Sequence, residues 1–120
     1  MAVDFKNILA WQKAMDLTDM VYKITKHLPS DERFGLIDQM RRAAISIPSN
    51  IAEGFGRKSR NEFIRFSYIA HGSLKELETQ LLICRRLYYL SEEEFAKSNA
   101  LVLEVGKLIG GLISKLSNHQ

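Results

Sequence analysis

The sequence predicts an all-α protein, an antiparallel up-down-up-down four-helix bundle in a single domain over residues 1–120. Three observations predict it. Apolar residues recur at alternating steps of three and four through four segments, which keeps one stripe on one side of a helix. Proline, glycine and capping signals separate those segments by short turns. No strand alternation, internal repeat, low-complexity tract or linker interrupts them. With 46% apolar and 26% charged residues, the composition is that of a globular chain rather than a disordered or fibrous one.

Helix one is expected from about Asn7 to His27, on the stripe Ala10, Ala14, Leu17, Val21, Ile24 and Leu28. Trp11, Met15 and Tyr22 add apolar surface beyond what one seam requires. Pro29 closes the segment because proline cannot continue the hydrogen-bond ladder and restricts Leu28 before it. Helix two is expected from about Glu32 to Glu53, with Ile37, Met40, Ala44, Ile47 and Ile51 as its stripe. Pro48 within it has no N–H for the carbonyl of Ala44, so a kink, or two short helices meeting at Ile47, is expected. Ser46 and Ser49 flank the fault and are candidates to satisfy the freed backbone groups. Gly54 is the expected stop.

Helix three opens on a capping box, Ser59 with Glu62, and is expected to reach about Tyr89. Phe63, Ser67, Ala70, Leu74, Leu77, Leu81, Cys84 and Tyr88 form its stripe. Helix four opens on a second box, Ser91 with Glu94, and continues through Phe95, Ser98, Val102, Val105, Ile109, Leu112 and Leu116. Gly106, Gly110 and Gly111 weaken it locally; they read either as a close approach of another helix or as fraying. Ser117 to Gln120 is expected to be a disordered tail.

The net charge of +3 permits contact with nucleic acid without demanding it. The single cysteine, Cys84, cannot form an internal disulfide and sits in an apolar stripe, which suits a reducing compartment. The opening MAVDFKN lacks an apolar signal core, and no apolar run approaches the ~20 residues that span a bilayer. A cytoplasmic chain with no membrane association is expected.

Little in the sequence points to catalysis. His27, His71 and His119 lie far apart and belong to no Glu-x-x-His or His-x-x-x-His pair, so no metal is expected. Cys84 has no histidine at helical spacing, which favours an inert core thiol over a nucleophile. Gly54-Phe55-Gly56 precedes a helix but follows another helix, without a Walker lysine, and no cofactor is expected.

Two clusters remain. Beside the main stripe of helix three runs a second one with a polar middle: Phe66, Ile69, Ser73, Glu76, Gln80, Ile83 and Leu87. Arg41, Arg42 and Glu53 on helix two are its candidate partners. The favoured reading is a structural polar network of Arg41, Arg42, Glu53, Ser73, Glu76 and Gln80 that fixes register within the bundle or between subunits. The other is a pocket with a catalytic carboxylate, but a glutamate facing arginines is held ionised rather than tuned toward neutral pH. The other feature is cationic: Arg57, Lys58 and Arg60 in the turn between helices two and three with Arg65 soon after on helix three, and a separate cluster, Arg85 and Arg86, at the far end of that helix. These side chains suit phosphate contacts, with Phe55 and Phe66 as candidate stacking partners. The alternative is a solvated loop that aids solubility.

Several stretches resemble one bacterial family: WQKAMDL in helix one, FGLIDQMRRAAISIPSNIAEG across helix two, and RKSRNEFIRF and IAHGSLKELETQL in helix three. The chain is similar, from about Phe5 to Leu116, to the 23S rRNA intervening sequence protein family. Phe34 departs from the tyrosine common at that place. The resemblance implies a four-helix bundle and no enzymatic activity. Some members of the family are encoded inside insertions in 23S rRNA genes. A related branch, the accessory variability protein of diversity-generating retroelements, works with a reverse transcriptase and nucleic acid. The resemblance also implies a homopentamer forming a basic barrel. By position, Arg41, Arg42, Ser46, Pro48, Asn50, Glu53, Gly54, Gly72, Ser73, Glu76 and Gln80 match the family motif. The surplus apolar surface on helices one and four independently favours a homo-oligomer.

The sequence therefore leads to a non-enzymatic oligomeric bundle that binds nucleic acid, structured RNA or an RNA–protein complex foremost, through its basic surface. The alternative is a protein-interaction scaffold or accessory subunit without direct nucleic-acid binding. Candidate partners are other copies of the chain, RNA or DNA, and a protein such as a reverse transcriptase.

Overall fold

The computed structural model describes residues 4–118. Four helices carry the fold: α1 (Leu9–Thr25), α2 (Asp38–Gly56), α3 (Arg60–Arg86) and α4 (Glu92–Ser117). Each packs against its neighbours in the cyclic order α1, α2, α3, α4, which is the square cross-section of an antiparallel bundle. The body measures 48 × 23 × 23 Å, so its length is that of α3 and α4. The predicted stripes meet in the centre except at Tyr88, which falls past the end of α3 and is 92% exposed. Leu17, Ile47, Leu74 and Ile109, one from each helix, are among its fully buried side chains.

The ends of the helices differ from the sequence expectation in instructive ways. A short 3-10 turn, Phe5–Asn7, precedes α1 and is capped by Asp4, whose carboxylate accepts from the Lys6 N–H at 2.9 Å. Between α1 and α2 the chain passes through a second 3-10 turn, Ser30–Glu32, and a π turn, Arg33–Ile37. A break in the helical backbone lies here, at Gly35, whose φ −109° and ψ −106° are not helical. α2 then runs as one helix from Asp38 to Gly56 with Pro48 inside it, not as two helices meeting at Ile47.

A neighbouring helix stabilises that continuity. The Ala44 carbonyl, deprived of its ordinary donor by Pro48, lies 3.2 Å from the Thr18 hydroxyl of α1, which also reaches the Ala14 carbonyl at 2.9 Å. The flanking serine Ser46 is engaged elsewhere: its hydroxyl is 2.8 Å from that of Ser73 on α3.

Gly54 does not stop α2, which continues one further half-turn. It permits a close approach of α3: a Cβ there would stand 2.7 Å from the Cβ of Phe66. The left-handed residue that ends α2 is Lys58, with φ 57°.

Ser59 caps α3 by accepting from the Glu62 N–H at 3.3 Å, but the Glu62 carboxylate turns to Arg65, so only half the box forms. The box on α4 is complete, with 3.0 Å and 2.9 Å bonds between Ser91 and Glu94. α3 ends at Arg86 in a Schellman motif: the Tyr89 N–H donates to the Cys84 carbonyl and the Tyr88 N–H to that of Arg85. Tyr88 takes the left-handed position usual for glycine, with φ 60°. Ser117, expected in the tail, is the last residue of α4, while residues 119–120 lie outside the described ones.

Candidate nucleic-acid interface

Antiparallel connectivity puts the α2–α3 turn, the start of α1 and the end of α4 at one end of the bundle. The predicted cations at this end divide by what their side chains already hold. Arg57 pairs with Glu53 one turn earlier on α2, at 2.9 Å, and its guanidinium lies 5.1 Å from the Phe66 ring. Arg65 binds Glu62 through two nitrogens, at 3.0 and 3.2 Å, and stacks on the same ring at 4.5 Å. Those bonds hold the Glu62 carboxyl below its ordinary value and the Arg65 guanidinium above its own. Phe66 is thus a buried core residue that carries two arginines, not a base-stacking platform. Phe55 is half-buried, edge-on to Phe63.

Lys58 and Arg60 are different. Both are exposed, and neither meets a carboxylate among the described residues. Arg60 lines an open hollow with Leu112, Lys115 and Leu116 of α4. Lys115 is a cation that sequence reasoning missed. It lies 55 positions from Arg60 in the chain, and only the return of α4 brings it there.

Arg85 and Arg86 do not join this group. They sit at the opposite end of α3, about 40 Å away at 1.5 Å per residue. Arg85 makes a two-nitrogen pair with Glu92 at 3.2 and 2.9 Å and stacks on Phe95 at 4.5 Å, so it closes the α3–α4 turn. Arg86 is exposed and unpaired among the described residues, close in sequence to the Glu92–Glu94 run. The two cationic clusters thus lie at opposite ends of α3, as the sequence placed them, and the one with Lys58, Arg60 and Lys115 has charge to offer.

The predicted polar network does not assemble within the chain. Arg42 pairs with Asp38 on the surface at 3.0 Å and Glu53 with Arg57. Arg41 turns toward α1, where its Nε donates to the Thr25 hydroxyl at 2.9 Å and its guanidinium covers Tyr22 at 4.5 Å. Glu76 is exposed and takes only a 3.4 Å bond from the Gln80 amide. Ser73 does meet α2, through Ser46, whose hydroxyl and carbonyl accept from Asn50 at 2.9 and 2.8 Å. The Glu76–arginine contact fails because α-helical geometry points Arg41 to the other side of α2.

No three potential metal ligands come together among the described residues. Cys84 is buried, with its sulfur 3.6 Å from that of Met40, and burial pushes its thiol up to about 11. Such a thiol is protonated and inert at neutral pH. No helix is long and apolar enough to cross a membrane among the described residues.

The fold and this cationic end define a small all-α bundle with a basic tip. The profile of the family described as 23S rRNA-intervening sequence protein matches residues 6–111, and the chain belongs to that family. It is similar to a crystal structure from Bacteroides thetaiotaomicron, described as a protein with unknown function from the S23 ribosomal protein family. The two share 26% identity and a TM-score of 0.81, over 88% of this chain and 96% of the other. No curated protein matches the chain.

Proposed function

We propose that this protein is a non-enzymatic, cytoplasmic, homo-oligomeric bundle that binds nucleic acid, structured RNA foremost, at the end carrying the α2–α3 turn. The observation that carries the reading is the convergence of Lys58, Arg60 and Lys115, exposed and without carboxylate partners among the described residues. A cation already paired gains little from a phosphate, whereas a free one displaces condensed counterions and contributes directly to affinity. Family membership supports an association with ribosomal RNA loci. The test is a titration against structured RNA and duplex DNA at rising salt, beside a variant carrying K58E, R60E and K115E. Binding that weakens steeply with salt and is lost in the variant supports the reading; absence of binding at low salt overturns it.

A second reading, a scaffold for a protein partner such as a reverse transcriptase, is favoured by the other end of the bundle. Phe34 and Tyr88 are 88% and 92% exposed there, and Tyr88 keeps an aromatic ring at a position whose backbone prefers glycine. Pull-down with Phe34→Ser and Tyr88→Gly variants separates the two readings, because neither change touches the basic end.

A further inference from the structure

Between α3 and α4 a groove of about 420 Å³ runs to the basic end of the bundle. Tyr68 and His71 of α3 line it, with Gly110, Ser114, Ser117 and Asn118 of α4, and no carboxylate is among its lining residues. Tyr68 is 58% exposed, which leaves its ring open to a planar partner. Its hydroxyl, the His71 imidazole and the Ser117 hydroxyl make no hydrogen bond among the described residues, and the Ser114 hydroxyl receives only a 3.4 Å bond from the Asn118 amide. His71 Nδ1 is enclosed without a partner, so Nε2 is the ring nitrogen left for a ligand. Gly110 keeps the groove open: a Cβ there would meet nothing within 4 Å, and α4 passes through it as one unbroken helix. A cleft lined by one aromatic ring and several convergent, unpaired polar groups has the character of a small-ligand site.

Two cations flank the groove. Lys107 lies one turn before Gly110 and Lys115 directly after Ser114, about 12 Å apart along α4 at 1.5 Å per residue. Both are exposed, and neither meets a carboxylate among the described residues. Lys115 also borders the hollow that holds Arg60, so the groove adjoins the basic tip. An open aromatic face, hydrogen-bonding groups at its edge and cations beside it together match one chemistry. A nucleobase offers a π-face to stack and donors and acceptors along its edge, and its phosphates carry the opposite charge.

We infer that the α3–α4 groove takes one unpaired nucleobase, stacked on Tyr68 and hydrogen-bonded along its edge by His71 Nε2 and the Asn118 amide, with the adjoining phosphates on Lys107 and Lys115. This rests on the RNA-binding reading above and names the feature that is bound. A base in a duplex keeps its faces stacked and its pairing edge occupied, whereas a base in a loop or single strand can be splayed out and enter. The groove therefore selects unpaired RNA, while the cations of the tip, which meet only phosphates, do not. A free nucleotide offers the same base chemistry as an RNA loop, and the two sources are separated by probe.

The test is equilibrium binding of the full chain to a stem-loop RNA, a fully paired RNA of the same length and adenosine monophosphate. The parent prefers the stem-loop to the duplex. Tyr68→Ala weakens stem-loop binding by about 5- to 150-fold, the loss of one stacked base, and Tyr68→Phe retains it. Neither change alters duplex binding or its salt dependence, which report phosphate contacts. Gly110→Leu fills the groove and costs comparable affinity, while its melting temperature does not fall, because leucine is the better helix former. Circular dichroism of each variant shows that the fold survives. Stem-loop binding unchanged in Tyr68→Ala and Gly110→Leu overturns the base pocket; if the K58E, R60E and K115E variant still loses RNA, the reading of the basic tip stands. Adenosine monophosphate bound by the parent and lost in both groove variants, with no RNA bound, supports the pocket with a free nucleotide as its occupant and overturns the RNA reading. A parent that binds none of the three probes overturns both.

Discussion

At Gly54 the lack of a single carbon sets how closely α2 and α3 cross. An added Cβ would stand 2.7 Å from the Cβ of Phe66 and 3.2 Å from the Phe63 ring, and neither Cβ can swing away from its backbone. Gly54→Ala is expected to destabilise by about 1–3 kcal/mol through overpacking, offset by up to ~1 kcal/mol of helix propensity. Urea unfolding measures the balance, and a stabilised variant would contradict the crossing. The sequence suggested a helix stop at this glycine, because a glycine near a helix end reads the same whether it caps or packs. Cys84 supports a second prediction at this scale. Its folded thiol is raised to about 11, chiefly by burial and then by the nearby Glu32 carboxylate, while an unfolded thiol titrates near ~8.5. The unfolded chain loses its proton first, so the stability contribution is full below the unfolded value and lost as pH rises through the folded one. Melting temperature should therefore fall across that window, and the fall should shrink in Cys84→Ala. Tyr89, raised mainly by its hydrogen bond to Glu32, slopes the same way and is separated by Tyr89→Phe.

Among the elements, α2 depends on α1 for its continuity. Thr18 answers the carbonyl that Pro48 leaves open, so Thr18→Val should cost about 1–3 kcal/mol by orphaning that acceptor. Replacing Pro48 with alanine restores a backbone donor, and the cost of Thr18→Val in that background should shrink. A double-mutant cycle reads the coupling directly, and additive effects would refute it. The caps of α3 and α4 make a second comparison. Ser91→Ala dismantles a reciprocal box and should cost about 1 kcal/mol, whereas Ser59→Ala removes one 3.3 Å bond and should cost less. Both caps were legible in the sequence, since Ser-x-x-Glu is a local pattern. That Glu62 spends its carboxylate on Arg65 was not, because two partners at helical spacing compete for it.

For the whole molecule, the charge that matters is the charge left over. Of six cations singled out in the sequence, Arg57, Arg65 and Arg85 are committed to carboxylates and aromatic rings, while Lys115 enters from the other end of the chain. Reversal of Lys58, Arg60 and Lys115 should remove up to three phosphate contacts and flatten the logarithmic salt dependence of RNA binding by about 2–3 units. Reversal of Arg85, which disturbs a turn some 40 Å distant, should leave that slope unchanged while lowering the melting temperature. Equal losses of binding from the two ends would show that general charge, not the basic tip, drives association.

Residue pattern alone is enough for the fold class, the four helices, most of the stripes that meet in the core and the serines that cap α3 and α4. These are local or periodic properties: a three–four repeat buries the same face wherever the helix lies, and a cap needs only residues one turn away. The rest came from how the helices pack. That packing sent the orphaned Ala44 carbonyl to Thr18, turned Arg41 away from Glu76, put a backbone break at Gly35, and set Lys115 beside Arg60. Each of those outcomes depends on the register and rotation of one helix against another. That register is fixed by close packing of side chains far apart in the chain, such as Gly54 against Phe66, which no periodicity within a single segment encodes.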